Sequence, residues 1–386
     1  MPFPPLVDPA PVLGTAERLR YARHTRLPEI GEVGQRRLTA ARVLVVGAGG
    51  LGSPSLTYLA AAGVGTIGIV DDDVVEVSNL HRQPVHSEAD LGRDKAASAA
   101  DRVRAINPHV SVRVHRERFS AASAEQLVGA YDLVVDGADN FATRYLVTDA
   151  CALAGIPHVW ASINTFAGQL SVWWAGRGPC YRCVFPAPPP PGSVASCAEA
   201  GVIGVLPGVM GTLQAAEAIK LITGVGEPAV GRIVLHDALA GTWEAVPVRA
   251  RPDCDLCGES PSISRPVEEG LTREVPVIVA TDLAAAIADG SEDVIVLDVR
   301  EAEEFSEGRI LPSVHVPLGE LLAGTARDQI ARWSAASGGV VVYCRGGTRS
   351  AQAVGYLLEQ GVETARSLDG GIIAWNAQVA GDPGPP

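Results

Sequence analysis

Lysine is almost absent from this sequence, because only Lys95 and Lys220 occur and arginine supplies the other basic side chains. Positive charge is in deficit as well: 31 lysines and arginines stand against 44 aspartates and glutamates, and the net charge is −13. So acidic a chain does not suit nonspecific binding to nucleic acid or to an anionic membrane surface. We expect neither partner, and any anionic ligand must bind at a local basic patch.

Two kinds of apolar segment are also missing. Residues Met1–Leu13 contain no basic stretch followed by an apolar core, so no secretory signal is evident. The most apolar later stretch, Gly201–Gly224, is interrupted by Pro207, Glu217 and Lys220, which predicts a buried helix rather than a membrane span. The seven cysteines, an odd number, then indicate reduced thiols in a cytoplasmic protein.

The composition indicates a globular α/β protein. The 386 residues are 47% hydrophobic and include 42 glycines, and the length suffices for two or three domains. The Pro-rich residues 1–14 are expected to be flexible, and the polar segment 258–276 to be a linker. We therefore expect one domain at 15–257 and a smaller α/β domain at 277–386. Within the first, the arginine-rich stretch Glu17–Leu38 predicts a solvated basic helix.

A glycine-rich turn follows the first predicted strand, Arg42–Val46, whose short apolar run is typical of a buried parallel strand. Glycine allows a sharp turn and close approach by a ligand, and the N-terminus of the next helix favours anionic oxygens. The spacing also fits the dinucleotide fingerprint G-x-G-x-x-G, and the next strand ends in carboxylates that could hold ribose hydroxyls, so this stretch alone would suit a dehydrogenase. We interpret it as a nucleotide site formed by Gly47, Gly49, Gly50, Gly52, Asp71 and Asp73.

Charged residues follow several predicted strands. Strands and helices alternate from 42 to 140, which predicts a parallel sheet with right-handed crossovers. Such sheets bind ligands outside the carboxyl ends of their strands. Arg82 lies in a polar loop after the second strand, Lys95 opens the next helix, and Asp139 follows a later strand. We expect these groups to converge on one crevice, together with their neighbours Ser78, Asn79, Leu80, His81 and Asn140.

Two C-x-x-C pairs, Cys180–Cys183 and Cys254–Cys257, are separated by 70 residues. Each pair can supply two thiolates from one turn to a tetrahedral Zn²⁺ ion. We predict a closed structural zinc site, with redox-active dithiols as the alternative. Between the pairs, a proline-rich loop carries Cys197, either a nucleophile or a spare thiol, whereas Cys151 in an apolar helix is expected to be core.

A further cysteine, Cys344, lies between the predicted strand Val340–Tyr343 and a helix. Backbone N–H groups at a helix N-terminus and nearby arginines lower a thiol's pKa and can hold an anion on it. Four residues separate this cysteine from Arg349. The loop therefore resembles the active loop of rhodanese sulfurtransferases, which is one residue shorter than that of cysteine phosphatases. We expect a persulfide loop formed by Cys344, Arg345, Gly346, Gly347, Thr348 and Arg349.

These motifs together resemble a known family. Most of them are similar to motifs of the MoeB/ThiF family, relatives of the ubiquitin-activating enzymes. The matching parts are the glycine turn, the carboxylates at 71 and 73, the segments 78–83 and 139–140, Lys95, the paired cysteines and the segment around Cys197. Segments 298–305 and 368–375 resemble further rhodanese signatures, whereas 311–313 departs from them and predicts a local loop change. The combination resembles the two-domain adenylyltransferase/sulfurtransferases of molybdopterin and thiocarboxylate biosynthesis.

This resemblance implies a first reaction in which ATP and the C-terminal Gly-Gly carboxylate of a ubiquitin-like sulfur carrier meet on the first domain, with Mg²⁺. It implies that Asp71 holds the ribose, that Arg82 and Lys95 bind phosphates, and that Asp139 ligates Mg²⁺. It also implies that Arg23 reaches into the neighbouring subunit of a homodimer.

A second reaction is implied for Cys344. Loaded as a persulfide by an external donor, such as thiosulfate or a cysteine desulfurase, it attacks the activated carbonyl, and Cys197 cleaves the acyl-disulfide or forms a thioester. The carrier could serve molybdopterin, thiamine, cysteine or tRNA-thiolation pathways. Two alternatives stay open: transfer of the carrier as a Cys197 thioester for protein conjugation, and, more remotely, an NAD-dependent dehydrogenase.

Overall fold

The computed structural model describes residues 3–189, 201–266, 275–289, 294–336 and 338–380. They form two compact units, the first made of residues 3–188 and 201–266 and the second of residue 189 and the described residues from 275 onwards. The change from one unit to the other falls within the segment 258–276, which the sequence predicts to be a linker. Each unit combines a sheet with helices, which confirms the α/β class.

The first unit contains an eight-stranded sheet. Its strands are β1 (Arg42–Val46), β2 (Thr66–Val70), β3 (Ser111–His115), β4 (Leu133–Asp136), β5 (His158–Asn164), β6 (Ala167–Trp173), β7 (Arg232–Asp237) and β8 (Thr242–Pro247). They lie in the order β3-β2-β1-β4-β5-β6-β7-β8. The pairs from β3 to β5 are parallel, as predicted, and β6, β7 and β8 extend the sheet by antiparallel pairing.

The strand order reverses between β1 and β4, and this switch point is where open α/β sheets bind ligands. The register places Val46 beside both Val70 and Asp136. The chain therefore leaves β1, β2 and β4 at the same edge of the sheet, so the glycine turn, the acidic turn after β2 and the residues after Asp136 start side by side.

Helices cover the sheet. In the first unit they are α1 (Thr15–Arg20), α2 (Ala22–Thr25), α3 (Gly31–Ala40), α4 (Gly52–Ala62), α5 (Lys95–Ile106), α6 (Ala121–Gly129), α7 (Phe141–Ala154) and α8 (Val205–Thr223). Short 3-10 turns lie at Val77–Asn79, Glu88–Asp90 and Tyr181–Cys183. The main apolar core packs α4, α5 and α8 against the buried side chains of β1 and β2.

Helix α8 is long and apolar enough to cross a membrane by length and composition alone. Its side chains Leu206, Met210, Ala218 and Ile222 are nevertheless fully buried in the core of the first unit. A Cβ on Gly211 would lie 2.2 Å from the carbonyl oxygen of Leu51, so the helix packs closely against the start of α4. It is a core helix, as its interruption by polar residues and proline predicts.

The N-terminal part differs from its prediction in two ways. The expected single basic helix over Glu17–Leu38 is three short helices, and α3 buries Gln35 and Leu38 instead of lying wholly in solvent. The Pro-rich segment before α1 packs on the first unit: the ring of Phe3 stacks on Trp174 with centroids 5.8 Å apart, and the N–H of Leu6 donates to Leu221. Its apolar side chains explain this packing, which proline content alone does not reveal.

The second unit contains a five-stranded parallel sheet in the order β11-β10-β12-β13-β9. Its strands are β9 (Val277–Ile278), β10 (Ile295–Asp298), β11 (Val314–His315), β12 (Val340–Tyr343) and β13 (Ala365–Leu368). Its helices are α9 (Ala280–Ala288), α10 (Ala302–Glu307), α11 (Leu318–Leu322), α12 (Arg327–Trp333), α13 (Thr348–Glu359) and α14 (Gly371–Trp375), followed by a π-helical turn at Asn376–Ala380. The fully buried strand β12 is central and leads directly to Cys344.

Candidate functional site

The glycine turn after β1 needs glycine at two positions for different reasons. Gly47 has a φ of +88°, which favours glycine over residues with a side chain. A Cβ on Gly52 would lie 1.9 Å from the carbonyl oxygen of Gly47, so the turn cannot close over any side chain. Gly50 lies against Pro207 and Arg82, and Gly49 against Gln83. The turn is therefore tight, and residues from two other segments cover it.

Ala48 lies at the centre of this turn, and side chains from two other segments of the chain bind its backbone groups. Its N–H donates to the Asp71 carboxylate at 2.7 Å. Its carbonyl lies 3.1 Å from Nε2 of the buried His86, whose Nδ1 lies 2.9 Å from the Ser98 hydroxyl on α5. Burial lowers the pKa of His86, so the neutral ring is the favoured form. The sequence gives no motif signal for His86, because its role depends on contacts distant along the chain.

Asp71 and Asp73 connect the glycine turn to α5. The second carboxylate oxygen of Asp71 accepts the N–H of Asp73 at 2.9 Å. Asp73 in turn forms an ion pair of 2.8 Å with the mostly buried Lys95, the first residue of α5. Burial raises the pKa of Asp71, and the N–H groups of Ala48 and Asp73 oppose that rise. Lys95, which the sequence predicts to face the crevice, is thus in one hydrogen-bonded chain with the two carboxylates that follow β2.

The segment 78–83 lies over the glycine turn. The Arg82 guanidinium donates to the Ser78 carbonyl at 2.8 Å, and its Cγ lies 3.8 Å from the Cβ position of Gly50. Asn79 is buried and accepts the N–H of Glu76, whereas Leu80 is half-buried and His81 is exposed. The segment is therefore a folded turn, fixed by its own hydrogen bonds.

The residues after β4 complete this edge. Asp136 is fully buried, and its carboxylate lies 3.1 Å from Nε2 of the buried His158. Gly137 is in contact with Gly47 of the glycine turn. Asp139 and Asn140 are exposed, and the Asn140 side chain accepts the N–H of Thr143, capping α7. Asp139 thus follows the carboxyl end of β4 by three residues and is exposed there.

Two further predicted site residues lie apart from this network. Arg23 is exposed on α2, and within the part of the chain that the structure describes it makes no hydrogen bond or ion pair with the glycine turn. Cys197 lies outside the described residues. The roles proposed for both come from the family resemblance alone.

The four paired cysteines form one cluster. The Sγ atoms of Cys180 and Cys183 are 3.7 Å apart, and the other close pairs are Cys180–Cys254 at 3.5 Å, Cys183–Cys257 at 3.4 Å and Cys180–Cys257 at 3.3 Å. Sulfurs around a zinc ion with bonds of about 2.3 Å would be separated by about 3.8 Å, so the cluster fits a tetrahedral site with little adjustment.

Hydrogen bonds couple the thiols of the cluster. The pKa of the Cys183 thiol is lowered because the Cys180 and Cys257 thiols hydrogen-bond to it, and the pKa values of Cys180 and Cys257 are raised in turn. The N–H of Arg251 adds a donor to the same sulfur at 3.4 Å. Nearby, Arg182 forms a buried ion pair with Asp149 at 2.7 Å, which joins the first cysteine turn to helix α7. Cys151 is buried in the core, as predicted, and burial raises its pKa.

The second unit places Cys344 in the predicted strand–loop–helix arrangement. Cys344 is buried at the end of β12, and the N–H of Gly347 points to its Sγ at 3.1 Å. Gly347 has a φ of +102° and precedes α13, which begins at Thr348. Arg345 and Gly346 are exposed. The loop thus presents a backbone donor to the sulfur at a helix N-terminus.

Arg349 is paired with a carboxylate from another helix. Its guanidinium makes a bidentate ion pair with Glu304 of α10, with distances of 2.7 and 2.8 Å. This guanidinium holds the pKa of Glu304 below its usual value. Glu304 lies within a segment that resembles a rhodanese signature, but the sequence does not connect it to Arg349, which is 45 residues away.

Comparison with known proteins agrees with this geometry. A model of the ThiF family matches residues 21–256, and a model of the rhodanese-like domain matches residues 279–378. The chain belongs to the ThiF family. It is 44% identical over 402 residues to a probable adenylyltransferase/sulfurtransferase MoeZ of Mycobacterium tuberculosis (strain ATCC 25618 / H37Rv), and the match covers 98% of both chains.

Other ThiF-family relatives differ in length. The chain is 42% identical over 411 residues to the adenylyltransferase and sulfurtransferase MOCS3 of Mus musculus, covering 98% of this chain and 89% of that one. It is 51% identical over 254 residues to a sulfur carrier protein adenylyltransferase of Thermus thermophilus, covering 64% of this chain and 94% of that one. The crystal structure of MccB from E. coli shares the fold, with a TM-score of 0.57, 22% identity and coverage of 65% and 75%.

The enzyme class follows from these matches. The chain joins a ThiF-type adenylyltransferase domain to a rhodanese-type sulfurtransferase domain, which confirms the predicted class. Chemically, the first site offers a tight glycine turn, acidic groups and the cations Arg82 and Lys95, a set suited to ATP. The second offers a thiol with a backbone donor beside it, a set suited to an anionic sulfur.

Proposed function

We propose that the protein adenylates the C-terminal Gly-Gly carboxylate of a ubiquitin-like sulfur carrier and converts it into a thiocarboxylate with sulfur from Cys344. The observation that carries this proposal is the coexistence, in one chain, of the strand-edge network around Gly47, Asp71 and Lys95 and the Cys344 loop. A dehydrogenase would have no use for the second of these. The name of the Thermus thermophilus relative supports a sulfur carrier as substrate.

In the first reaction the carrier carboxylate attacks the α-phosphorus of ATP. A terminal carboxyl has a pKa of about 3.5 and is ionised at neutral pH, so it needs no general base. The difficulty is the approach of an anion to an anionic phosphate, which positioned cations overcome. Arg82 and Lys95 provide these cations, and Asp71 holds the ribose. A carboxylate–phosphorus bond forms, the bond to pyrophosphate breaks, and the products are an acyl-adenylate and pyrophosphate.

The Asp139 carboxylate suits a hard cation, because such cations prefer oxygen ligands and Asp139 is exposed shortly after the carboxyl end of β4. We assign it to Mg²⁺, with Asn140 beside it. A bound Mg²⁺ would neutralise phosphate charge and favour departure of pyrophosphate. In this assignment, the buried Asp136–His158 pair fixes the start of the segment that carries Asp139.

In the second reaction a persulfide on Cys344 attacks the acyl-adenylate carbonyl and AMP leaves, which gives an acyl-disulfide. A thiolate then attacks the Cys344 sulfur of that disulfide, the S–S bond breaks, and the carrier leaves as a thiocarboxylate. We assign this thiolate to Cys197. The Gly347 N–H stabilises the sulfur anion on Cys344. The cleavage leaves a disulfide between Cys197 and Cys344, which a thiol reductant reduces to the two thiols before an external donor reloads the persulfide.

Two further assignments concern the assembly. We assign the four-cysteine cluster to a structural zinc ion, because its sulfur spacing leaves no open position for a reactant. We assign the exposed Arg23 to the phosphates of a neighbouring subunit, because the family resemblance implies this role, and the active unit is then a homodimer. The free thiols of the described cysteines suit a cytoplasmic enzyme.

The decisive experiment incubates the purified protein with ATP, Mg²⁺, a sulfur donor and a carrier ending in Gly-Gly. We expect pyrophosphate exchange that needs the terminal glycine, followed by a carrier mass gain of one oxygen exchanged for sulfur. A carrier without its last glycine is the control. Exchange followed by a stable thioester at Cys197, without thiocarboxylate, would instead support conjugation, and absence of carrier-dependent exchange would refute the adenylation.

A further inference from the structure

The rhodanese-like part of the chain is strongly acidic. Residues 275–386 contain fifteen aspartates and glutamates against seven arginines, and no lysine. A site on such a body repels anionic ligands unless local cations compensate. The question for Cys344 is therefore which cations near it are available to a sulfur donor.

Arg349 lies two residues after Gly347, whose N–H contacts the Cys344 sulfur. Its charge is neutralised by Glu304, because the two side chains make a bidentate pair in which neither is more than one-third exposed, 14% for Arg349 and 28% for Glu304. Such a pair is held firmly and attracts an approaching anion far less than a lone guanidinium does.

The second buried cation of this unit is neutralised in the same way. Arg300 follows β10 and pairs with the fully buried Asp298, with a closest distance of 2.6 Å. Among the described residues, Arg345 is the arginine of the Cys344 loop without a carboxylate partner, and its side chain is exposed. The Cys344 loop therefore presents about one unpaired positive charge, rather than two, to an approaching sulfur donor.

We propose that Glu304 determines which sulfur donor Cys344 accepts: by neutralising Arg349 it disfavours doubly charged thiosulfate and favours a thiol persulfide of lower charge. This inference rests on the sulfurtransferase step of the proposed function. With thiosulfate, the Cys344 thiolate attacks the outer sulfur, the S–S bond breaks and sulfite leaves with both negative charges. With a persulfide RS–SH, the same attack releases a thiol, which takes up the proton. Both reactions balance without a further oxidant or reductant.

The test compares two donors, thiosulfate and cysteine persulfide, in the full-length protein with cyanide as sulfur acceptor. Glu304→Gln removes the negative charge but keeps an amide oxygen for Arg349 and for the N–H of Glu301. We expect kcat/KM for thiosulfate to rise roughly tenfold, the scale of one unit charge acting on a nearby dianion in partly screened surroundings. The value for cysteine persulfide should stay within about twofold, because that donor carries less charge.

Glu303→Gln is the matched control, because Glu303 is exposed on the same helix and its side chain makes no ion pair among the described residues. Glu303→Gln should leave kcat/KM unchanged for both donors. Glu304→Asp keeps the charge and should keep the low thiosulfate efficiency. An unchanged thiosulfate value in Glu304→Gln, or an equal fall for both donors in Glu304→Gln and Glu304→Asp, would overturn the inference. Absence of thiocyanate with either donor in the unsubstituted protein would instead overturn the sulfurtransferase step itself.

Discussion

Ala48 shows how a single residue fixes the nucleotide turn. Its methyl side chain is fully buried, and both of its backbone polar groups are hydrogen-bonded by side chains from other segments. Asp71 accepts from the N–H and His86 contacts the carbonyl, so the turn is oriented before a nucleotide binds. Preorganised groups of this kind avoid reorganisation cost during reaction.

The pKa shift of His86 predicts a pH dependence of stability. Because its pKa is lower in the folded protein than in the unfolded chain, the unfolded chain binds the proton first as the pH falls below about 6.5. The stabilisation is complete above that pH and is lost as the pH falls towards the folded-state pKa. The melting temperature should therefore decrease between about pH 7.5 and about pH 5.5.

His86→Gln should make the fall in melting temperature with decreasing pH smaller, since the side chain at position 86 no longer titrates. Thermal unfolding at a series of pH values measures this fall. The exposed His109 provides the comparison, and His109→Gln should reproduce the slope of the unsubstituted protein. Equal slopes in the His86 variant and the unsubstituted protein would show that this histidine does not contribute.

At the scale of elements, the parallel strands were predictable because β1, β2 and β4 are short apolar runs that lead into a glycine turn or into acidic residues. The antiparallel extension of the first sheet by β6, β7 and β8 was not predictable from the sequence. All residues of β8 are exposed, so the strand has no alternation of buried and exposed side chains to signal it. The Arg349–Glu304 and His86–Ala48 contacts could not be predicted either, since hydrogen bonds between distant segments produce no periodic pattern in the sequence.

Packing of the first turn of α4 against β1 leads to a prediction at this scale. Gly52→Ala places a Cβ where the Gly47 carbonyl lies, so the turn must open. Overpacking of this kind costs about 1–3 kcal/mol, which corresponds to roughly 5- to 150-fold weaker ATP binding if the cost falls on the nucleotide-binding conformation. Titration calorimetry with ATP measures the change.

A matched glycine is available in α6, where a Cβ on Gly129 would meet no atom within 4 Å. Gly129→Ala should bind ATP as the unsubstituted protein does. If Gly52→Ala also bound ATP normally, close backbone approach at the turn would not be needed for nucleotide binding.

For the whole molecule, we expect the two compact units to carry separable reactions. Asp139→Ala should lower carrier-dependent pyrophosphate exchange about 10²–10³-fold, because it removes the carboxylate assigned to Mg²⁺, the cation that would stabilise negative charge in the transition state. Sulfur transfer from a donor to cyanide should be unchanged. Cys344→Ala should show the converse, with normal exchange and no thiocyanate.

Both variants should be measured in the same two assays, together with their melting curves. Formation of carrier thiocarboxylate should fail in each, since it needs both steps. Loss of exchange and cyanide reactivity together in a correctly folded variant would contradict the assignment of one reaction to each unit.

Helix α8 has a consequence for enzyme engineering. A Cβ on Gly204, just before this helix, would lie 2.5 Å from the His81 carbonyl, Pro207 contacts the position of a Cβ on Gly50, and Gly211 lies against Leu51. The beginning of α8 therefore packs directly against the glycine turn, although it is more than 150 residues away from that turn in the sequence. Libraries intended to change the nucleotide preference of this protein should include positions 204, 207 and 211 as well as the glycines themselves.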